Sequence, residues 1–188
     1  GDEIDLETHA MALETIARAD ASTAWVMSQG SGCSMAAAFL APDAARRWFG
    51  APDAVHAWGA GIQGKAIAVP GGYRVTGTWT FNSGSRHATL LGGHSFVYEA
   101  DGSPRRHADG RPVDRTMLFE RGKAEIDDVW DVVDLRGTGS DTIRVSDLFV
   151  PEADTIDRDA YAECREPGQL YRFSTTLAYG VGFAALML

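Results

Sequence analysis

The stretch GAGIQGKA, Gly59 to Ala66, carries the residue types of two phosphate-binding loops at once. As G-x-G-x-x-G, with Gly59, Gly61 and Gly64, it would approach the pyrophosphate of a dinucleotide; as G-x-x-x-x-G-K it would be a P-loop, with Ala66 where Ser or Thr should reach magnesium. A second cluster, NSGSRH, brings Ser83, Ser85 and His87 close together and raises a serine hydrolase. None of the three chemistries survives its context. A dinucleotide loop opens a helix and needs a carboxylate about 20 residues on for the ribose. Here KAIAV alternates and runs into Pro70, and no Asp or Glu occurs between Ala54 and Tyr98. The P-loop lacks its helix as well as its hydroxyl. A nucleophilic serine needs a strand-to-helix elbow, whereas Ser83 and Ser85 stand between two strand-like runs, where turn-forming serine accounts for them.

The bulk numbers narrow the class further. The chain has 188 residues, 45% hydrophobic and 23% charged, with a net charge of −9. That composition is globular, and the acidity argues against a nucleic-acid surface. No apolar run is long enough for a membrane span, and the last stretch, LAYGVGFAALML, reads as the beginning of a buried helix. Cys33 and Cys164 lie far apart without CxxC spacing, and the five histidines are scattered, so no zinc or disulfide framework is indicated and a reducing cytoplasm is the expected setting. The acid-free segment from Ala54 to Tyr98 contains Lys65, Arg74 and Arg86. It suits an anionic ligand, and it equally suits buried strands in which carboxylates are costly.

The elements that position these residues fall into three blocks. Residues 1–50 read as helices: Leu6, Ala10, Leu13 and Ala17 form a stripe at helical spacing, Asp20, Ser22 and Thr23 supply cap residues for the next helix, and Pro42 and Gly50 bracket a third. Residues 51–153 alternate. YRVTGTWTF puts Tyr73, Val75, Gly77, Trp79 and Phe81 on one face, after a Pro70-Gly71-Gly72 turn. KAIAV, ATLLGGHSFVYEA, RTMLFER and DTIRVSDLFVP are further strands, and ADGSPRRHADGRP is an exposed hairpin loop. Residues 154–188 turn helical again from about Tyr171. The fold class is therefore α+β.

This layout and three segments resemble the acyl-CoA dehydrogenase superfamily, in its flavin-dependent monooxygenase branch. GGYRVTGTWTFNSG resembles the flavin-facing segment, and Trp79, Phe81, Ser83 and Gly84 follow the monooxygenase wording rather than the dehydrogenase one. DVVDLRGTGSDTIRVSDLFVP, Asp131 to Pro151, resembles the segment downstream of it, with Asp134 replacing a glycine, and DASTAWV the helix leading into the active site. AWGAGIQGKAIAV resembles the loop before the next strand, with Ile62 in place of a proline. The resemblance implies an N-terminal helical domain, a middle β-barrel-like domain and the start of a C-terminal helical bundle, the chain being a fragment.

It also implies a chemistry. The oxygenase component of a two-component system takes reduced FMN or FAD from a separate reductase, forms a C4a-hydroperoxide with dioxygen and oxygenates a small organic substrate; such proteins assemble as homotetramers. Ser83 would be the catalytic hydrogen-bond partner of the flavin. Phe81, Ser83, Gly84, Trp58, Ala60 and Trp130 would hold the cofactor, with no metal. One departure stands out: where phenol-hydroxylating members carry a histidine, the helix reads MSQGSGCSMAAA, with Cys33 or Ser34 in its place. Proton abstraction from a substrate hydroxyl by histidine is therefore not expected from that helix. An acyl-CoA dehydrogenase with bound FAD and a flavin-free, non-catalytic relative are the alternatives.

Overall fold

Asp5 and Asp20 set the first two helices. Their carboxylates accept the N–H groups of Thr8 at 2.8 Å and Thr23 at 2.7 Å, satisfying donors that a helix start leaves unpaired. The computed structural model describes residues 4–157, 164–168 and 171. In it α1 spans Leu6–Ala17 and α2 Ala21–Ser34, which tightens into a 3-10 turn over Met35–Phe39. Helix α3, Pro42–Phe49, begins on Pro42 and stops at Gly50, whose N–H reaches the Arg46 carbonyl at 3.0 Å. The bracketing expected from the sequence is what forms. No helix among the described residues is long and apolar enough to cross a membrane.

Among the described residues eight strands follow in one sheet: β1 His56–Ala57, β2 Ile62–Val69, β3 Gly72–Asn82, β4 Leu90–Tyr98, β5 Asp114–Glu120, β6 Glu125–Asp127, β7 Asp141–Pro151 and β8 Thr155–Asp157. Their order is β6-β7-β3-β2-β4-β5-β8, with β1 beside β4; the β2–β4 and β1–β4 pairs are parallel and the others antiparallel. The sheet thus continues through β8, beyond residue 153, while the helix expected from about Tyr171 lies outside the described residues. The middle block was expected to be barrel-like. Instead it is an open sheet that curls, because among the described residues the end strands β6 and β8 have no pairing with each other.

The curl has a visible cause. The fully buried Trp79 indole lies across three strands, and a Cβ on Gly64 of β2, Gly77 of β3 or Gly93 of β4 would come within 2.4, 2.5 and 2.4 Å of its ring carbons. Only glycine leaves room for this close approach. The same ring meets Phe119 of β5 at 6.1 Å between centroids, although two strands separate β3 from β5 in the sheet. Gly64 is therefore a packing glycine within a strand, which disposes of both phosphate-loop readings. Tyr73, Val75, Trp79, Leu91, Met117 and Ile143 belong to the core on this side. Cys33, Leu40, Ala44, Trp58, Leu90 and Leu118 form a second core between helices and sheet.

Candidate functional site

At the end of β3 the alternation breaks. Tyr73, Val75, Gly77 and Trp79 face inward as expected, but Phe81 does not. The β3–β7 register shifts between Trp79 and Asn82, and Phe81 takes a left-handed backbone with φ 59°. This irregularity re-aims the side chain, as bulges do. Asn82 turns in and Phe81 turns out, leaving its ring 67% exposed with the Trp130 ring edge-on at 5.8 Å. Left-handed backbone disfavours a residue with a Cβ by about 1–2 kcal/mol, so the surroundings must hold it there.

Asn82 is part of what holds it. Its amide donates to the carbonyls of Trp79 at 2.6 Å and Asp141 at 3.0 Å, and its oxygen accepts from Gly59 N–H at 2.9 Å. Asp141, 1% exposed, is the second anchor: it accepts from Arg86 Nε at 2.6 Å and from the Val129 and Trp130 N–H groups at 3.2 and 3.1 Å. Burial opposes ionisation of this carboxyl, but the Arg86 bond and the two backbone donors outweigh it and hold its pKa below the ordinary value.

Next to Phe81, Ser83 joins a line of hydroxyls. Trp25 Nε1 of α2 donates to Ser83 Oγ at 2.9 Å, and Ser83 Oγ lies 2.8 Å from Ser140 Oγ, itself 2.7 Å from Thr138 Oγ1. Thr138 donates to the Leu135 carbonyl at 2.9 Å, an oxygen that also accepts from Trp130 Nε1 at 3.0 Å. If Ser140 donates to Thr138, the Ser83 proton goes to Ser140. If Ser140 instead donates to Ser83, Thr138 must turn its single proton from the Leu135 carbonyl to Ser140, and the Ser83 proton is free for a ligand. The two hydrogen-bond orders differ only by hydroxyl rotation, so Ser83 can present either an acceptor or a donor.

The other residues proposed from the sequence are dispersed around this point. Gly84, with φ 82°, bonds through its N–H to the Thr138 carbonyl at 2.9 Å, and Ala60 is exposed. The Trp58 indole sits in the helix–sheet core, over Gly92 and edge-on to His94. The acid-free segment loses much of its anion-binding case too, because acids from elsewhere neutralise its arginines. Arg86 pairs with Asp141 and Asp128, and Arg74 with Asp147. Sequence reasoning assigned no role to Trp25, Thr138 or Ser140; the alternating hydroxyls of GTGS were the available signal.

A cavity of about 750 Å³ lies between α1, α2 and the start of the sheet. Val26 lines it and stands 3.0 Å from where a Gly84 side chain would begin, so the cavity abuts the serine turn. The helix offers Ser34, but β1 brings His56 to it, with Nδ1 3.1 Å from Ser34 Oγ and Nε2 3.3 Å from the Trp48 carbonyl. The Phe49 ring lies 4.3 Å from the imidazole. Burial lowers the His56 pKa, the Trp48 carbonyl opposing it more weakly. Cys33 is turned away into the helix–sheet core.

Known proteins resemble this chain in sequence and fold. Over 155 residues the chain is 33% identical to the indole-3-acetate monooxygenase of Pseudomonas putida, a match taking in 82% of this chain and 38% of that one. Over 108 residues it is 42% identical to HsaA, the oxygenase subunit of a flavin-dependent monooxygenase of Rhodococcus jostii, covering 56% of this chain and 25% of HsaA. Its homologues are flavin-dependent monooxygenases. XiaF from Streptomyces sp., solved with FADH2 and glycerol, superposes on this chain with a TM-score of 0.84 and 28% identity, over 98% of this chain and 46% of XiaF. The segment therefore spans less than half the length of each of these three relatives. No family model matches it.

Proposed function

We propose that the full-length protein is the oxygenase component of a two-component monooxygenase, which takes reduced flavin from a separate reductase and oxygenates a small organic substrate. The observation that carries this reading is Phe81. The fold turns a large apolar ring outward through a strained backbone, beside a buried hydroxyl of switchable polarity, and gains nothing in its own core by doing so. A flat aromatic ring edged with nitrogen and oxygen fits that pairing: the ring covers Phe81, and Ser83 meets a polar edge atom.

Reduced flavin, when bound, supplies the electrons that activate dioxygen. The chain's own residues do the rest. Phe81 and Trp130 shield one side from water, and Ser83 holds a proton at the cofactor's edge while Trp25 and Ser140 fix its oxygen. Gly84 and the backbone near Ala60 let the cofactor approach, and Trp58 supports that loop from the core. FMN and FAD both remain candidates for the full-length protein; FADH2 comes first, because XiaF was solved with it. The homotetramer, the cytoplasmic location and the division at residue 50 belong to the same proposal, and the second division moves from residue 153 to beyond β8, which pairs with β5.

The test is anaerobic titration of the full-length protein with FADH2 and FMNH2, followed by oxygen. Tight binding of the reduced form and slow release of hydrogen peroxide support the monooxygenase. Bleaching of tightly bound FAD by an acyl-CoA thioester would transfer the protein to the dehydrogenases. Failure of both reduced flavins to bind would make it a non-catalytic relative.

A further inference from the structure

Glycine weakens the interior of a helix relative to alanine, so a glycine placed there needs a physical reason. Gly30 stands inside α2, and the two usual reasons fail for it. Its backbone is helical, so no unusual φ calls for glycine. Nor does close packing. Apart from its chain neighbours and its own helix backbone, a Cβ at Gly30 would have one heavy atom within 4 Å among the described residues. That atom is the His56 carbonyl oxygen at 3.8 Å, an ordinary contact. At Gly64, Gly77 and Gly93, by contrast, the Trp79 ring occupies the place a side chain would take. What a side chain at Gly30 would fill is the cavity behind the serine turn. Val26, Gly30 and Ser34 follow one another at i, i+4 and i+8 along α2, and all three line that cavity. Gly30 is thus a notch of bare backbone between two side chains. The hydroxyls of this face turn back onto their own helix: Ser31 donates to the Met27 carbonyl and Ser34 to the Gly30 carbonyl, each at 2.8 Å. Among the described residues the titratable groups that line the cavity are His9, His56, His87 and Tyr171, and no Asp, Glu, Lys or Arg does so.

We infer that Gly30 sets the breadth of the ring system the cavity accepts, its bare backbone being the contact face for a flat, uncharged ligand of two fused rings. The inference rests on the monooxygenase reading, which makes such a ligand the organic substrate. The cavity abuts the serine turn and so borders the proposed flavin position. Its volume of about 750 Å³ is that of a pocket for a ligand larger than one small ring. Along α2 the Cα atoms of Val26 and Ser34 are about 12 Å apart by the helical rise, so the recess between them admits the length of a fused pair. A ring lying on this recess touches the Gly30 Cα directly. A methyl group at Gly30 would lift it off the helix and forfeit dispersion contacts over the whole face. A single small ring can sit to one side of that methyl and keep its contacts. The selection is by shape, with no bond made or broken.

The test compares indole with its one-ring counterpart pyrrole, each titrated by ligand-observed NMR against the full-length protein free of flavin. Both probes are uncharged and carry one N–H. In Gly30→Ala the affinity for indole should fall about tenfold, the effect of one methyl forced into a filled contact, while that for pyrrole changes less than about threefold. The melting temperature of this variant should hold or rise, because alanine suits a helix interior better. Gly30→Leu should abolish indole binding, and circular dichroism separates that loss from loss of the fold. Indole bound equally well by Gly30→Ala overturns the assignment. So does an equal loss of both probes, a lower melting temperature in Gly30→Ala, or a wild type that binds no indole. Titration with FADH2 distinguishes the failures. A Gly30→Ala protein that keeps FADH2 and loses indole supports the role toward substrate, and one that loses both overturns it. A wild type that discriminates between the probes yet binds no reduced flavin removes the monooxygenase and leaves the size selection standing.

Discussion

Two neighbouring side chains, Phe81 and Ser83, carry opposite relations between stability and function. Phe81 is strained and exposed, so Phe81→Gly relieves the left-handed backbone while removing little burial. The expected outcome in urea unfolding is unchanged stability or a gain of about 1 kcal/mol, net of glycine's added chain entropy. Affinity for reduced flavin should fall at least tenfold in the same variant. Ser83→Ala works the other way. It strips the acceptor from the Trp25 indole and a partner from Ser140, which lowers stability by about 1–2 kcal/mol. Oxidation of reductase-supplied flavin should then yield more hydrogen peroxide per oxygenated product than in the wild type, read by peroxide assay. If both variants bind flavin like the wild type, these residues are outside the cofactor site.

At the scale of elements, Asp141 ties the end of β3, the start of β7 and the Val129–Trp130 segment together. Its carboxyl is depressed in the folded state, so its contribution is complete above the unfolded value of about 3.9 and is lost as pH falls through the lower folded value. Urea midpoints measured from about pH 6 down to about pH 3 should decline in the wild type. Asp141→Asn should start about 2 kcal/mol lower at neutral pH and decline less. How legible was this in the sequence? Cap residues and period-two patterning gave away the helices and most strands, since both signals are local. The outward turn of Phe81 was not legible, because alternation predicts the inner face and only pairing with β7 imposes the shift. Likewise, Ser34 meets His56 only because β1 and α2 pack against each other, and no spacing encodes that.

At the scale of the whole molecule, the Trp25–Ser83 bond joins the helical layer to the sheet across 58 positions of sequence, next to the proposed flavin position. Helices and sheet should therefore respond together to the cofactor. Reduced flavin at about a hundredfold its Kd is expected to stabilise the full-length protein by about 2.7 kcal/mol. Helical ellipticity and tryptophan fluorescence should shift to the same extent in anaerobic unfolding. Separate transitions for the two signals would show the layers to be independent.

The indole laid across Gly64, Gly77 and Gly93 has one more consequence. Three strands without side chains there leave a slot of fixed outline, so excising the plug by Trp79→Gly creates a hollow that its neighbours lack the atoms to fill. Such a hollow should accept free indole as a prosthetic replacement, its N–H meeting the His94 carbonyl that Trp79 now serves at 2.8 Å. Thermal melts of the variant should rise with added indole and stay put with added cyclohexanol, turning a constraint on the sequence into a handle for switching the fold on from outside.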